Sequence, residues 1–471
     1  MAFLNGFISA FHDISVSAPE GDLWAWFILD VFEFIVNYGW RVVLFTFALK
    51  LLLSPIDIFQ KISMRKQQKV QAKLAPVFEK IDQQYANDQR TAMQKKQEMQ
   101  KQLGAGMNPL LTCLPTLLTL VIFITLFGSL QNIGAYKNLN QYVQLYNEYQ
   151  NVTQCVVEDN QTDSGYYTFL AKDGNPDEAR KSDYEGYYVS GLEKYISGLT
   201  STQESPNAIK DAYNSDIDTY AEAKAFVLTN LYTADNSDPK YAEFQSFTKN
   251  VGQQAVHKLY GETMEGFLWI KNIWAVDAMW TAPVNDYTTF TSNIKYNQSG
   301  TGCACNCSCA GEVNHTLGFN QEMIDAWGDN ATLEKESAQV NILSKGTYEA
   351  VMGALLSDDY YSSANGWLIL PALSILLALA NQFITQLQQK RSGQEMSGQS
   401  GMTMKMMMWT MPIMIGIFAF MNVAAFALYL VVSYLVSLIV SFVMMFIYHI
   451  MDKKLDDDDI IHTYGRPNFN K

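Results

Sequence analysis

The chain has 471 residues, of which 48% are apolar and only 17% charged, with a net charge of −14. Its mean hydropathy is −0.05, but that near-neutral average covers two unlike parts. Residues 131–365 carry 14 Lys/Arg against 31 Asp/Glu, and the remainder carries 19 against 16. This argues against a nucleic-acid binder, which needs a basic face to neutralise phosphates, and against one uniform fold.

Residues 1–36 come first. Met1 to Asp13 lack a basic leader and an A-x-A-like site, so they do not read as a cleavable signal peptide. Residues 22–36 interleave Trp24, Trp26, Phe27, Phe32 and Phe34 with Asp22, Asp30 and Glu33, the pattern of an amphipathic helix at a membrane interface. Residues 37–57 form a first apolar stretch, interrupted by Lys50. A bilayer core of about 30 Å needs about 20 helical residues, so this stretch is long enough to span.

Residues 58–106 hold ten basic residues against four acidic ones. Val70, Leu74, Val77, Phe78, Ile81 and Tyr85 recur at three- and four-residue steps and predict one amphipathic helix. Asp88 is a candidate N-cap for a second helix, Gln89 to Leu103, with Gly104 and Gly106 ending it. The resulting helical hairpin presents Arg65, Lys66, Lys69, Lys73, Lys95 and Lys96 as a docking surface for ribosomes, nascent chains or anionic lipid headgroups; the plainer alternative is a solvated basic linker.

A second span is expected within 107–135, where Leu110 to Leu130 is free of charge. The acidic block follows; Asn207 to Leu231 and Tyr241 to Met264 have helical patterns. Cys303, Cys305, Cys307 and Cys309 alternate in a C-x-C-x-C-x-C run. Thiolates this dense are weak candidates for Zn²⁺ or Cu⁺, but strict alternation is not the common C-x₂-C spacing, and disulfides or free thiols in a loop are the plainer reading. A third span is expected within 363–389, where Trp367 to Leu387 is uncharged. Met406 to Tyr448 is 43 uncharged residues, read as a fourth span over 406–424 and a fifth over 425–450, turning near Asn422, Ala424 and Ala425. The loop 390–405 and the tail 451–471 remain; the Met-rich stretch 396–414 suits either an adaptable surface for apolar helices or interface filler.

Cations beside span ends set orientation. The segment 58–106, the loop 390–405 and Lys453–Lys454 are therefore expected in the cytoplasm, with the N-terminus and the acidic block outside. An ionised Lys within a span costs several kcal/mol and usually faces a polar cavity, although a Lys stem of about 6 Å can also snorkel to the interface. With Thr112, Thr116 and Thr119 in the second span, Asn381, Gln382 and Gln386 in the third, and Tyr429, Ser433 and Ser437 in the fifth, Lys50 suggests a water-accessible groove.

These residues also carry a resemblance. Asn37-Tyr38-Gly39 through Lys50-Leu51-Leu52-Leu53-Ser54-Pro55 resembles the first core span of the YidC family of membrane protein insertases. Met64-Arg65-Lys66 with the Gln-rich hairpin, then Asn108-Pro109-Leu110, Cys113-Leu114-Pro115 and Ile122-Phe123, are similar to that family's hairpin and second span. Phe267-Leu268-Trp269-Ile270-Lys271-Asn272 with Asp277 resembles its next short element, Leu370-Pro371 through Gln382 its third span, and Met402 to Pro412 with Leu428-Tyr429 and Ser433 its last two.

The resemblance implies an all-α, five-span bundle of a Gram-positive-like member, in a bacterial plasma membrane, with the C-terminus in the cytoplasm. Residues 263–281 would then divide the acidic block into extracytoplasmic inserts 136–262 and 282–362, the first read as mostly helical. It implies a hydrophilic groove open to cytoplasm and lipid, lined by Lys50 (where the family has Arg), Gln382, Thr116, Thr119, Tyr429 and Ser433. Leu430, Tyr434 and Val440 depart from the family's polar or aromatic choices, and Asp456 to Asp459 replace a basic tail. The implied partners are nascent membrane proteins and the lipid bilayer, with a Sec-type translocon and the ribosome as further candidates. No cofactor and no catalytic residue are implied, and no G-x-x-x-x-G-K-[ST] phosphate loop is found. A small-molecule transporter or channel using the same groove is the alternative, though transport leaves the basic hairpin unexplained, and a scaffold displaying the acidic block is a weaker third.

Overall fold

The computed structural model describes residues 14–85, 88–102, 109–159, 237, 241–294, 317–319, 321–391, 410 and 412–457, with helical stretches such as 64–76 and 109–116 described by backbone alone. In chain order the main helices are α1 (Tyr38–Gln84), α2 (Gln89–Gln102), α3 (Pro109–Asp159), α4 (Tyr241–Thr263), α5 (Tyr287–Asn293), α6 (Ala331–Ile342), α7 (Lys345–Leu356), α8 (Ile369–Arg391), α9 (Pro412–Met421) and α10 (Ala424–Asp457). The chain is thus mostly helical. A single two-stranded antiparallel ladder, Ser15–Val16 against Leu317–Gly318, is the only sheet among the described residues.

Among the described residues, four helices are long and apolar enough to cross a membrane: Tyr38–Ser63, Leu117–Thr153, Ile369–Leu387 and Ala424–Tyr448. The segment expected as a fourth span contributes α9, ten residues and about 15 Å of helix, while 392–409 and 411 lie outside the described residues. The turn after it falls at Asn422 and Val423. Asn207 to Leu231 and all four clustered cysteines also lie outside the described residues.

The chain divides into two compact units. One comprises residues 22–131, 266–279 and 366–471. Within it α10 packs along α8 and α1. Phe127 stacks edge-on against Phe426 (4.9 Å) and Phe418 (6.3 Å), joining α3 to α10 and α9. Gln131 donates to Asn422 Oδ1 (2.9 Å) at the α9–α10 turn. The expected interfacial helix is shorter than its pattern: one turn, Leu23–Trp26, capped by Asp22, widens to a π-turn over Phe27–Val31 and stops. It stops because Trp24, Phe27 and Phe32 close around Phe45 of α1. The buried Arg41 also holds the following turn, donating to the carbonyls of Leu29 (3.0 Å), Glu33 (3.1 Å) and Ile35.

Residues 266–279 tie three helix starts together. Asn37, the N-cap of α1, donates to the Gly266 carbonyl (2.9 Å). At Gly39 a Cβ would lie 2.1 Å from the Phe267 ring, so only glycine allows this approach. Asp277, 1% exposed, accepts from the amides of Leu368 (3.0 Å) and Leu370 (2.9 Å) at the start of α8. The carbonyls of Ala275 and Ile273 accept from Ala424 (2.8 Å) and Ala425 (3.0 Å) at the start of α10. The first amides of a helix lack intrahelical partners, and this loop supplies them where water is excluded.

The other unit comprises residues 1–21, 132–265 and 280–365. Its core combines aliphatic residues with an aromatic cluster. Tyr142, Phe290 and Tyr348 cluster, with the Phe290 and Tyr348 rings stacked at 4.6 Å. The buried hydroxyls are satisfied by backbone: Tyr142 donates to Ile342 O (2.7 Å), Tyr348 to Asn285 O (2.6 Å) and Tyr260 to Pro283 O (3.1 Å). α4 packs on α7. α4 covers the helical stretch expected from Tyr241 to Met264 to within a residue. α3 runs on past 135 to Asp159, and no Gly or Pro lies between 135 and 159 to end it.

Candidate functional site: a charged stripe between span helices

α1 continues through Pro55, which has no amide to give to the Leu51 carbonyl. The Ser54 hydroxyl donates to that carbonyl instead, at 2.8 Å, and the helix survives. Lys50, Asp57 and Lys61 then stand at i, i+7 and i+11, which at 100° per residue places them within about 20° of one line. All three are half-buried inside the stretch Tyr38–Ser63. Asp57 attracts both lysines, and the two lysines repel each other.

α10 supplies the facing wall. Ser433, Ser437 and Ser441 repeat every four residues; Ser437 donates to Ser433 O (2.9 Å) and Ser441 to Ser437 O (2.8 Å). The Lys61 ammonium donates to Ser441 Oγ at 3.0 Å, and Tyr448 donates to the Lys61 carbonyl at 2.8 Å. α8 packs on the same helix: Asn381 bridges α8 to α10 by donating to Tyr434 O (2.9 Å), and also donates to Leu377 O (3.0 Å) within α8. Thr385 donates to Asn381 O (2.9 Å).

The residues expected to line the groove are distributed unevenly. Lys50 is half-buried beside Asp57's field, and Gln382 is half-buried on α8. Tyr429 and Ser433 share a side-chain hydrogen bond and are buried, 5% and 6% exposed, so they pack the bundle rather than line open space. Thr119 sits in the exposed stretch 117–121, and the side chain of Thr116 lies outside the described residues. Asp57, Lys61 and Ser441 were not among the expected groove residues. The signal that finds them is the i, i+7, i+11 stripe, hidden because Lys61 reads as the first cation of the hairpin.

In the hairpin, Asp88 caps α2 as its position suggests, accepting from the Thr91 amide (3.2 Å) and hydroxyl (2.5 Å). Those bonds hold its carboxyl below the usual range. Lys96 pairs with Asp82 across the hairpin (2.5 Å), and Lys95 with Glu98 along α2 (3.2 Å). Lys96 therefore braces α2 on α1. The side chains of Arg65, Lys66, Lys69 and Lys73 lie outside the described residues, as do Cys303, Cys305, Cys307 and Cys309.

Comparison with known proteins adds to this geometry. Residues 30–163 match the family described as 60Kd inner membrane protein. The chain is 33% identical over 103 residues to the membrane protein insertase YidC of Leptospira interrogans, covering 22% of this chain and 16% of that one. It is 35% identical over 100 residues to the membrane protein insertase YidC of Fusobacterium nucleatum, covering 21% and 46%. It is 36% identical over 106 residues to the inner membrane ALBINO3-like protein 1 of the chloroplast of Chlamydomonas reinhardtii, covering 22% and 20%. In each relative the match spans less than half of its length. No solved structure matches the chain. The family match holds Lys50, Asp57 and Lys61 and stops short of α8 and α10. Over residues 30–163, which hold its first membrane-length helices, the chain is thus similar to the YidC family of membrane protein insertases.

Proposed function

We propose that the protein inserts membrane proteins into the bilayer and helps them fold, using the polar face between α1, α8 and α10 as a hydrophilic groove. The observation that carries this reading is the stripe Lys50–Asp57–Lys61, half-buried within a helix otherwise apolar enough to cross a membrane. At the centre of a spanning helix, where Lys50 lies, a charge costs at least about 2.5–3.5 kcal/mol, so a fold retains it for use.

A hydrophilic segment crossing a bilayer sheds water at several kcal/mol per unsatisfied group. A groove that reaches part of the way shortens the apolar distance, and Lys50 favours an acidic segment while it crosses. The substrate's apolar helix leaves sideways into lipid, and its burial, at about 25 cal/mol per Å², drives the step without nucleotide hydrolysis or covalent catalysis.

The same reading has five spans, with 406–424 as the fourth, the N-terminus and the two inserts outside a bacterial plasma membrane, and the hairpin and C-terminus inside. The hairpin then meets ribosomes, nascent chains or anionic headgroups, and a Sec-type translocon is a candidate partner. Complementation of a bacterial strain depleted of its own insertase tests the proposal. Lys50→Arg should rescue growth and substrate insertion, and Lys50→Ala should impair at least some substrates. Full insertion by the Ala variant would remove the electrostatic role of Lys50, and failure of the wild-type chain to rescue would remove the function.

A further inference from the structure

We infer that the half-buried Asp57 and Lys61, the latter anchored on the buried hydroxyl of Ser441, form a second subsite of the groove, one that selects hydrophilic segments carrying carboxylates. The inference rests on the insertase reading above and concerns which substrates that groove prefers.

The geometry starts with Lys61. It lies inside the membrane-length stretch of α1, about 16 Å along the helix from Lys50 and on the same line. Its ammonium reaches across to α10 and is held there by a hydroxyl, Ser441 Oγ at 3.0 Å. Ser441 has already committed its own proton to the Ser437 carbonyl, so it meets the lysine as an acceptor. An ammonium has three donors, and a neutral hydroxyl is a weaker acceptor than a carboxylate. An incoming Asp or Glu can therefore replace the hydroxyl as the acceptor at Lys61. Tyr448, bonded to the Lys61 carbonyl, keeps this turn of α1 against α10.

Asp57 sets the strength of that attraction. It sits one helical turn before Lys61 and two turns after Lys50, and it attracts both. With Asp57 ionised the stripe carries one net positive charge; without it the stripe would carry two. The + − + order gives two separated points of attraction with a repulsive point between them. A segment bearing an acidic residue is drawn from one lysine to the next and is not trapped at either. A basic segment meets two like charges in a poorly screened site.

Purified full-length protein in liposomes tests this with two single-span substrates, whose transferred segments carry either two Asp or none. Protease protection gives the initial insertion rate of each, and the readout is the ratio of the acidic to the neutral rate below saturation. Lys61→Gln should lower that ratio about fivefold or more, the order of one charge-assisted hydrogen bond lost. Lys61→Arg should keep it within about twofold, and Asp57→Asn should raise it by a similar factor to the one Lys61→Gln removes. A ratio unchanged in both Lys61→Gln and Asp57→Asn overturns the subsite, as does an equal loss for both substrates in Lys61→Gln and Lys61→Arg. If Lys61→Gln does not fold, the Asp57→Asn ratio decides alone. The two readings fail differently: wild-type protein that inserts neither substrate above protein-free liposomes overturns the insertase function, whereas wild-type insertion with an insensitive ratio overturns only the subsite.

Discussion

Asp277 offers the sharpest test of how the membrane unit is held together. Its carboxylate is 1% exposed and accepts from the amides of Leu368 at 3.0 Å and Leu370 at 2.9 Å. Leu368 is also held at φ +62°, a left-handed conformation that costs a leucine roughly 1–2 kcal/mol. Asp277→Ala leaves one buried donor, at Leu370, and one part-buried donor, at Leu368, without their acceptor, at about 1–3 kcal/mol each. The expected loss is therefore about 2–6 kcal/mol, and Asp277→Asn, which keeps one acceptor oxygen, should lose about half as much. At about 2–4 °C per kcal/mol for a unit of this size, the Ala variant should unfold about 5–20 °C lower. Thermal unfolding in detergent, followed by the fraction that remains monodisperse, measures it. Gly366→Ala should act through the same cap, because a Cβ there would lie 1.9 Å from Asp277 Oδ1. A Gly366→Ala midpoint at the wild-type value, or an Asp277→Ala shift under about 2 °C, would refute the reasoning.

Two further outcomes follow from close contacts in each unit. Gly39→Ala should destabilise by about 1–3 kcal/mol through overpacking against Phe267, and Phe267→Ala in the same chain should recover part of the loss in the thermal midpoint. In the other unit, His257 Nε2 lies 3.0 Å from Asp358 Oδ2, and this hydrogen bond, with the amides of Tyr360 and Tyr361, holds the Asp358 carboxyl below the usual range. A depressed carboxyl stabilises the fold above its unfolded value, about pH 4, and that contribution is lost as pH falls through the lowered value. The stability gap between wild type and His257→Ala should therefore be open above about pH 4 and close below it; a gap that persists unchanged into acid would contradict the assignment.

The chain's local chemistry determined much of the bundle. Charge-free runs of about 20 residues have few fates besides a membrane helix, which is why Leu110 to Leu130, all but the first two residues of Trp367 to Leu387, and the end of the 43-residue run lie in helices of membrane length. Asp88 acts as a cap because capping is settled within three residues. Lys50 stood out because a lysine among leucines is costly wherever the chain folds.

Tertiary structure decided which polar groups belong together. Tyr429 and Ser433 have groove chemistry but are buried, because the face of a helix that packs is chosen by its neighbours and not by its own residues. Lys61 was read with the hairpin on charge density, yet α1 has no break at 57, and one unbroken helix places it on the Lys50 line within reach of Ser441, 380 residues away. Asp277 caps α8 from 91 and 93 residues earlier in the chain. Its local motif marks Asp277 but not which amides it will meet; only the folded chain, by excluding water from the helix ends, makes it the partner those amides require.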